Sequence, residues 1–276
     1  MMTSVIRFRA LNAAMYAFVG AYALFVLLPL TWMVFAAFKT KREIFVNPLG
    51  LPSDLNLTSF ARAWKIGLST FMLNSAIVTV LSVLLIVIAS GMAAYVLARS
   101  EVPAMRWIYL MIVAGFAVPL HSVLVPLYQM LSGAGMLNSR LAMVLPTAAF
   151  GIPFTTILFY AFFLDFPREL EDAARLDNCN RFQIFWRIIL PLSGPAIVSA
   201  SIFQAVFIWN EFLLALLMLT RPALKTLPVG IFELVSMYTS DWPAIMAGLS
   251  IAIAPIVAIF FVSQKYFVKS LQGLGK

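Results

Sequence analysis

Few side chains in this sequence can carry chemistry, and that scarcity narrows what they can do. There is one histidine, His121, and one cysteine, Cys179, so neither a Cys/His metal cluster nor an internal disulfide can form. An enzyme built on a nucleophile and a base needs more than a lone His, a lone Cys and Glu211 supply. Nucleotide hydrolysis has no seat either. No Gly-x-x-x-x-Gly-Lys-Ser/Thr run occurs, and the terminal Gly273-Leu-Gly275-Lys276 lacks that spacing. The expectation is a chain with no catalytic residue, no metal and no cofactor.

The titratable groups that do exist crowd into one stretch, Asp165 to Pro191. Asp165 is suited to cap a helix, and Pro167 to its first turn. Glu169, Glu171 and Asp172 then fall near the positive end of the helix dipole. Arg168 with Asp172, and Glu171 with Arg175, are four apart and can pair along its surface. Asn178 is a left-handed terminator, the usual substitute for Gly. A second short helix starts at Asn180 and carries Phe182, Phe185 and Trp186 towards a bilayer surface. Ala173 and Ala174, small and close to the turn, allow a partner to approach closely, with the surrounding charges setting register. An amphipathic interfacial linker, its alanines merely good helix formers, fits the same residues.

The elements that must hold this segment are set by composition. Hydrophobic residues make up 63% of the 276 and charged residues 11%, with a mean hydropathy of +0.98. Soluble domains hold about 45–50% apolar and about 25% charged residues, so this chain belongs in a membrane. Six uncharged runs follow one another: 10–38, 66–98, 107–139, 141–164, 188–210 and 242–264. Each reaches the ~20 residues that a helix needs to cross a bilayer. An open strand would leave backbone groups unpaired in lipid, and the alternation over about 10 residues that barrel strands need does not appear. An all-α membrane protein with six transmembrane helices is therefore expected. The first run is far longer than the core of a signal peptide and reads as a retained span. The net charge of +8 is that of basic residues flanking spans, not of a nucleic-acid binder.

Six spans place both termini on one side. With the termini inside, the inner segments hold Arg7, Arg9, Arg99, Arg106, Arg168, Arg175, Arg181, Arg187, Lys265, Lys269 and Lys276, the larger share of the basic residues. That orientation satisfies the positive-inside rule, although Lys39, Lys41, Arg42, Arg62 and Lys65 in the first outer loop run against it.

Ionisable residues within spans are candidates for function. His121, in Pro119-Leu-His-Ser-Val-Leu-Val-Pro126, suits a polar contact along a translocation path, or a neutral ring bonded to a backbone carbonyl freed by the prolines. Glu211, with Asn210 and Trp209 beside it, is placed about 35 Å along the fifth run and so near the outer interface. There it fits an outer gate, a contact with a substrate-delivery protein, or a plain solvated carboxylate.

Asp172-Ala-Ala, Asn178 and then Ile188-Ile-Leu-Pro191 match the spacing of the EAA loop of ABC-importer permeases. Phe166-Pro-Arg-Glu-Leu-Glu171, Phe182-Gln-Ile-Phe-Trp-Arg187, Asn138 with Leu145-Pro146, Trp209-Asn-Glu-Phe212, Phe38-Lys-Thr and Tyr266-Phe-Val-Lys extend the likeness over nearly the whole chain. The sequence resembles the smaller permease of carbohydrate importers of the maltose and glycerol-3-phosphate type. Two positions depart from the pattern: Asp172 stands for its Glu and Asn178 for its Gly. The resemblance implies a type I ABC-importer permease fold, one transmembrane domain over 1–276 with the shared core about 70–268, a peripheral first span 10–38 and a coupling loop 165–187. It implies that Glu171, Asp172, Ala173, Ala174, Asp177 and Asn178 contact an ATPase, with His121, Asn210 and Glu211 on the substrate path or outer gate. It also implies a second permease subunit, an ATP-binding subunit dimer, an extracytoplasmic solute-binding protein, and the inner membrane of a prokaryote with both termini cytoplasmic. The solute is a sugar, oligosaccharide or polyol, with glycerol-3-phosphate as the alternative. An ion-coupled secondary transporter would have to work with His121 and Glu211 alone.

Overall fold

The apolar runs become helices because, in lipid, a backbone group finds its partner only within its own segment. The computed structural model describes residues 2–237 and 241–273, and all regular structure among them is helical. Lys276 lies outside the described residues. In chain order the helices are α1 (Met2–Phe38), α2 (Lys41–Val46), α3 (Thr58–Ala63), α4 (Ser69–Arg99), α5 (Ala104–Phe116), α6 (Leu124–Gly133) and α7 (Leu141–Leu164). They continue with α8 (Glu169–Leu176), α9 (Arg181–Ile184), α10 (Leu190–Leu192), α11 (Gly194–Trp209), α12 (Leu213–Met218), α13 (Leu227–Met237) and α14 (Trp242–Gly273).

Four stretches are long and apolar enough to cross a membrane unaided: Leu11–Phe38, Thr58–Arg99, Leu141–Leu164 and Trp242–Phe261. The other two expected spans are broken. Ala104–Phe116 meets Leu120–Gly133 at 84°, and Arg181–Leu192 meets Gly194–Trp209 at 77°. Six spans result if each bent pair counts as one. Both breaks fall at prolines. Pro119 and the residues before it cannot continue α5, and Pro195 sits in the first turn of α11. Pro146 and Pro153 remain inside α7 and Pro29 inside α1 without such a break.

Contacts along the chain form two compact units, residues 1–68 with 233–253, and residues 69–232 with 254–276. In the first unit, the Lys39 ammonium is 3% exposed and donates to the carbonyls of Asn47 (2.9 Å) and Pro48 (3.0 Å). Arg62 forms an ion pair with Asp241 at 2.9 Å. Two of the five basic residues that ran against the positive-inside rule are thus held by the protein itself. Thr40 and Glu43 form a capping box at the start of α2. The Ser53 hydroxyl, and then the backbone and hydroxyl of Thr40, hold the Glu43 carboxyl down at about 2.

In the second unit α7 packs along α4, and α11 lies against both. Two apolar clusters fill the spaces. One gathers Val78, Ile86, Met143, Ala148, Ile208 and Met218, the other Val87, Tyr95, Phe159, Phe163, Ile184 and Phe185. Gly151 lets α7 approach closely, since a Cβ there would stand 2.5 Å from Ile86 Cδ1 and 3.0 Å from Gln204 Oε1. At the start of α4, buried Asn74 donates to the carbonyls of Ala223 (2.9 Å) and Lys225 (3.1 Å) and accepts from Arg140 (3.1 Å). Nearby, Asn138 sits at φ 56° and accepts from the backbone N–H of Thr220 (2.8 Å) and Arg221 (2.9 Å).

Candidate functional site

The polar segment folds as helix, turn, helix. Asp165 closes α7 rather than capping the next helix, and Arg168 occupies the N-cap of α8 without a side-chain bond. At the far end, Asn178 takes the left-handed conformation (φ 58°), its N–H donating to Arg175 O at 3.0 Å. The Cys179 N–H reaches Ala174 O at 3.0 Å, which completes a Schellman pair and satisfies two of the last carbonyls. Asn180 then opens α9 in a reciprocal capping box with Gln183, both bonds 2.9 Å.

The two faces of α8 differ in what they meet. Glu171 is 1% exposed, and both of its carboxylate oxygens are taken by residues four apart on α4. The Tyr95 hydroxyl donates to Oε2 (3.0 Å) and Arg99 Nε to Oε1 (2.6 Å). The remaining guanidinium nitrogens of Arg99 donate to Phe163 O (2.6 Å) and Phe166 O (3.0 Å), where α7 ends. Ala174, one turn on, is buried in the apolar cluster with Phe163, Ile184 and Phe185. The opposite face shows Asp172, Ala173, Asp177 and Asn178, with Leu176 85% exposed at its end.

Two sequence expectations change here. The Glu171–Arg175 and Arg168–Asp172 pairs do not form; Arg175 pairs with Asp172 at 3.1 Å instead. Of the six residues assigned to a partner-facing tip, Glu171 and Ala174 point into the protein. The cause is Arg99, the last residue of α4. A buried arginine needs a buried carboxylate, and removing one member of such a pair strands the other at a cost of about 3–5 kcal/mol. Tyr95 and Arg99 were missed, although an i, i+4 pair at the end of an apolar run marks one helix face.

The bends also move the second candidate group. Helix α11 ends at Trp209, and Glu211 lies 7% exposed beyond it, accepting the Leu214 N–H at 2.9 Å at the start of α12. It is therefore a buried carboxylate and not a solvated interfacial one, because its span does not run straight from Ile188. His121, exposed in the 3-10 turn at the first bend, brings Nε2 to 4.0 Å from Glu211 Oε1. Asn210 is exposed, its amide bonded to Val206 O at 2.7 Å. Glu211 opens on a cavity of about 260 Å³ walled by Phe116, Phe150, Phe154, Phe203 and Phe207, with Thr147 and Gln204 as polar lining. Phe154 stacks on Phe203 with centroids 4.6 Å apart, and the Gln204 amide donates to Gly151 O (3.1 Å) and Thr155 Oγ1 (2.9 Å). The pairs 150/154 and 203/207 share helical spacing, the one signal the sequence held for these rings. Among the described residues, no group of three or more His, Cys, Asp or Glu is placed to hold a metal ion.

Residues 86–273, which contain the polar segment, the Arg99 cluster and the aromatic cavity, match the family model described as binding-protein-dependent transport system inner membrane component. The chain belongs to this family. The permease is 38% identical over 260 residues to the probable ABC transporter permease protein YurM of Bacillus subtilis, an alignment that covers 94% of this chain and 87% of the relative. It is 31% identical over 266 residues to the diacetylchitobiose uptake system permease protein NgcG of Streptomyces coelicolor, covering 95% and 88%. Its fold matches a chain of a bacterial ABC transporter involved in the import of the acidic polysaccharide alginate, with a TM-score of 0.83, 22% identity and coverage of 94% and 97%. The permease is thus an all-α, multi-pass membrane protein and a transport subunit.

Proposed function

We propose that this permease is one of two homologous membrane subunits of an ATP-driven importer for a carbohydrate. A solute-binding protein delivers the cargo on one side, and a dimer of ATP-binding subunits docks on the other. The exposed face of α8 carries this reading: a short helix held by its inner face, with Asp172, Ala173, Leu176, Asp177 and Asn178 left open to a partner. Small Ala173 admits close approach, the carboxylates of Asp172 and Asp177 offer acceptors to basic groups, and Leu176 supplies an apolar anchor. ATP hydrolysis falls to the partner because this sequence has no phosphate-binding loop. In this arrangement the side bearing α8 is cytoplasmic and both termini share it.

The carbohydrate assignment draws on the diacetylchitobiose permease among the relatives and on the phenylalanine-walled cavity. Mostly apolar walls with a few fixed polar groups suit a sugar ring, whose faces are apolar and whose rim is polar. Glu211 and Gln204 supply the polar groups, and His121 lies beside Glu211.

The test is co-purification. Ala173→Arg places a long cation on the open face of α8 and should strip the ATP-binding subunits from the membrane complex, while Ala174→Gly should leave them bound. Retention of the ATPase by Ala173→Arg at the native level would sink the docking assignment. The cargo is read by binding-protein-stimulated ATP hydrolysis in proteoliposomes with a panel of oligosaccharides, polyols and glycerol-3-phosphate. Stimulation by the phosphate ester alone would overturn the carbohydrate assignment.

A further inference from the structure

We infer that Arg99, Tyr95 and Glu171 form a fixed joint that turns movement of α8 into movement of α4 and α7. This inference rests on the docking role proposed for α8 and assigns a positioning role to residues that touch neither nucleotide nor cargo. The geometry is over-determined. One carboxylate of α8 is held at both oxygens by two residues of α4, so α8 can neither roll nor slide on α4 without losing a charge-assisted bond. The same guanidinium saturates two carbonyls at the end of α7, where a cation also meets the negative end of the helix dipole. Ala174, packed with Phe163 and Phe185, seals the contact from below. Three elements are therefore tied through one side chain.

A buried ion pair is a poor device for stability alone, since its desolvation offsets most of its attraction. What it fixes well is geometry, because a carboxylate and a guanidinium satisfy each other in few arrangements. The opposite face of α8 is open, so the helix is gripped on one side and presented on the other. Displacement of the open face by a docked ATPase must then carry the C-terminal ends of α4 and α7 with it. In a merely structural role, the same residues would hold α8 in place without affecting how far the membrane helices respond.

The two roles separate in the complete importer, assembled with its partner subunits in proteoliposomes. Cys179→Ser removes the only thiol of this chain and gives the background labelling of the partner subunits, and Val206→Cys on α11, which lines a cavity with Phe203 and Phe207, supplies a reporter. Its labelling by a membrane-impermeant maleimide is timed with and without ATP and vanadate. With the joint intact, nucleotide trapping should change the labelling rate by about fivefold or more, the lower range of allosteric couplings. With Glu171→Gln, which keeps the shape but not the charge, or Arg99→Lys, which keeps the charge but not the fork, the change should shrink to within about twofold while the ATPase stays bound and hydrolyses ATP. A full nucleotide response in both variants overturns the joint. If Ala173→Arg also fails to release the ATPase, the docking role falls and the joint with it. If Ala173→Arg releases the ATPase while both joint variants keep the response, the joint alone falls.

Discussion

Glu171 is the residue on which the cluster around α8 turns, and its energetic signature should be that of a stranded charge. Glu171→Ala leaves Arg99 charged, buried and short of one acceptor, which should cost about 3–5 kcal/mol. Glu171→Ala together with Arg99→Ala should cost less than the two single changes added, since the second removes the group that the first strands. Thermal unfolding of the detergent-purified importer, followed for the four corners of the cycle, checks this, and strict additivity would mean that the pair does not interact. Gly151 makes a simpler prediction. Gly151→Ala puts a methyl against Ile86 Cδ1 and Gln204 Oε1 and should destabilise by about 1–3 kcal/mol through overpacking, read in the same assay.

At the scale of elements, the turn after α8 depends on one backbone conformation. Asn178 at φ 58° is tolerated because its short polar side chain visits the left-handed region, and a β-branched residue is not. Asn178→Gly should therefore preserve the helix-turn-helix, whereas Asn178→Val should lose about 1–2 kcal/mol and loosen ATPase attachment. Equal retention of the ATPase by both variants in a salt-wash series would contradict this. The turn was legible in the sequence because its determinants are local: an Asn after an amphipathic stretch, then Asn180 and Gln183 three apart. The bends were not. Pro119 and Pro195 fall at breaks, while Pro146 and Pro153 lie inside α7, so a proline in the sequence does not by itself mark a bend. Glu171 points inward for the same kind of reason, since its partner Arg99 is 72 residues away and no spacing rule reaches that far. The cavity phenylalanines were hidden among 24 of their kind, most of which pack or face lipid.

Across the whole molecule, the second unit is fastened at two places along α4, by Arg99 at its end and by Asn74 at its beginning. The Asn74 amide serves the carbonyls of Ala223 and Lys225, and its oxygen receives Arg140. Asn74→Leu keeps the branched outline but removes the Asn74 donor from those carbonyls, which should cost about 1–3 kcal/mol. Limited proteolysis of the stretch 219–226 in the purified importer should accelerate accordingly, and an unchanged cleavage rate would show that Asn74 does not restrain it. Between these fastenings α4 runs without interruption from Asn74 to Arg99, about 38 Å. A rod of that length multiplies small angles. Tilting it by about 5° about the Arg99 end displaces the Asn74 end by about 3 Å, close to the width of a water molecule. Where the joint proposed above carries movement of α8 into α4, the chain would act as a lever as well as a conduit, a small tilt at the Arg99 end becoming a shift of molecular width at the Asn74 end.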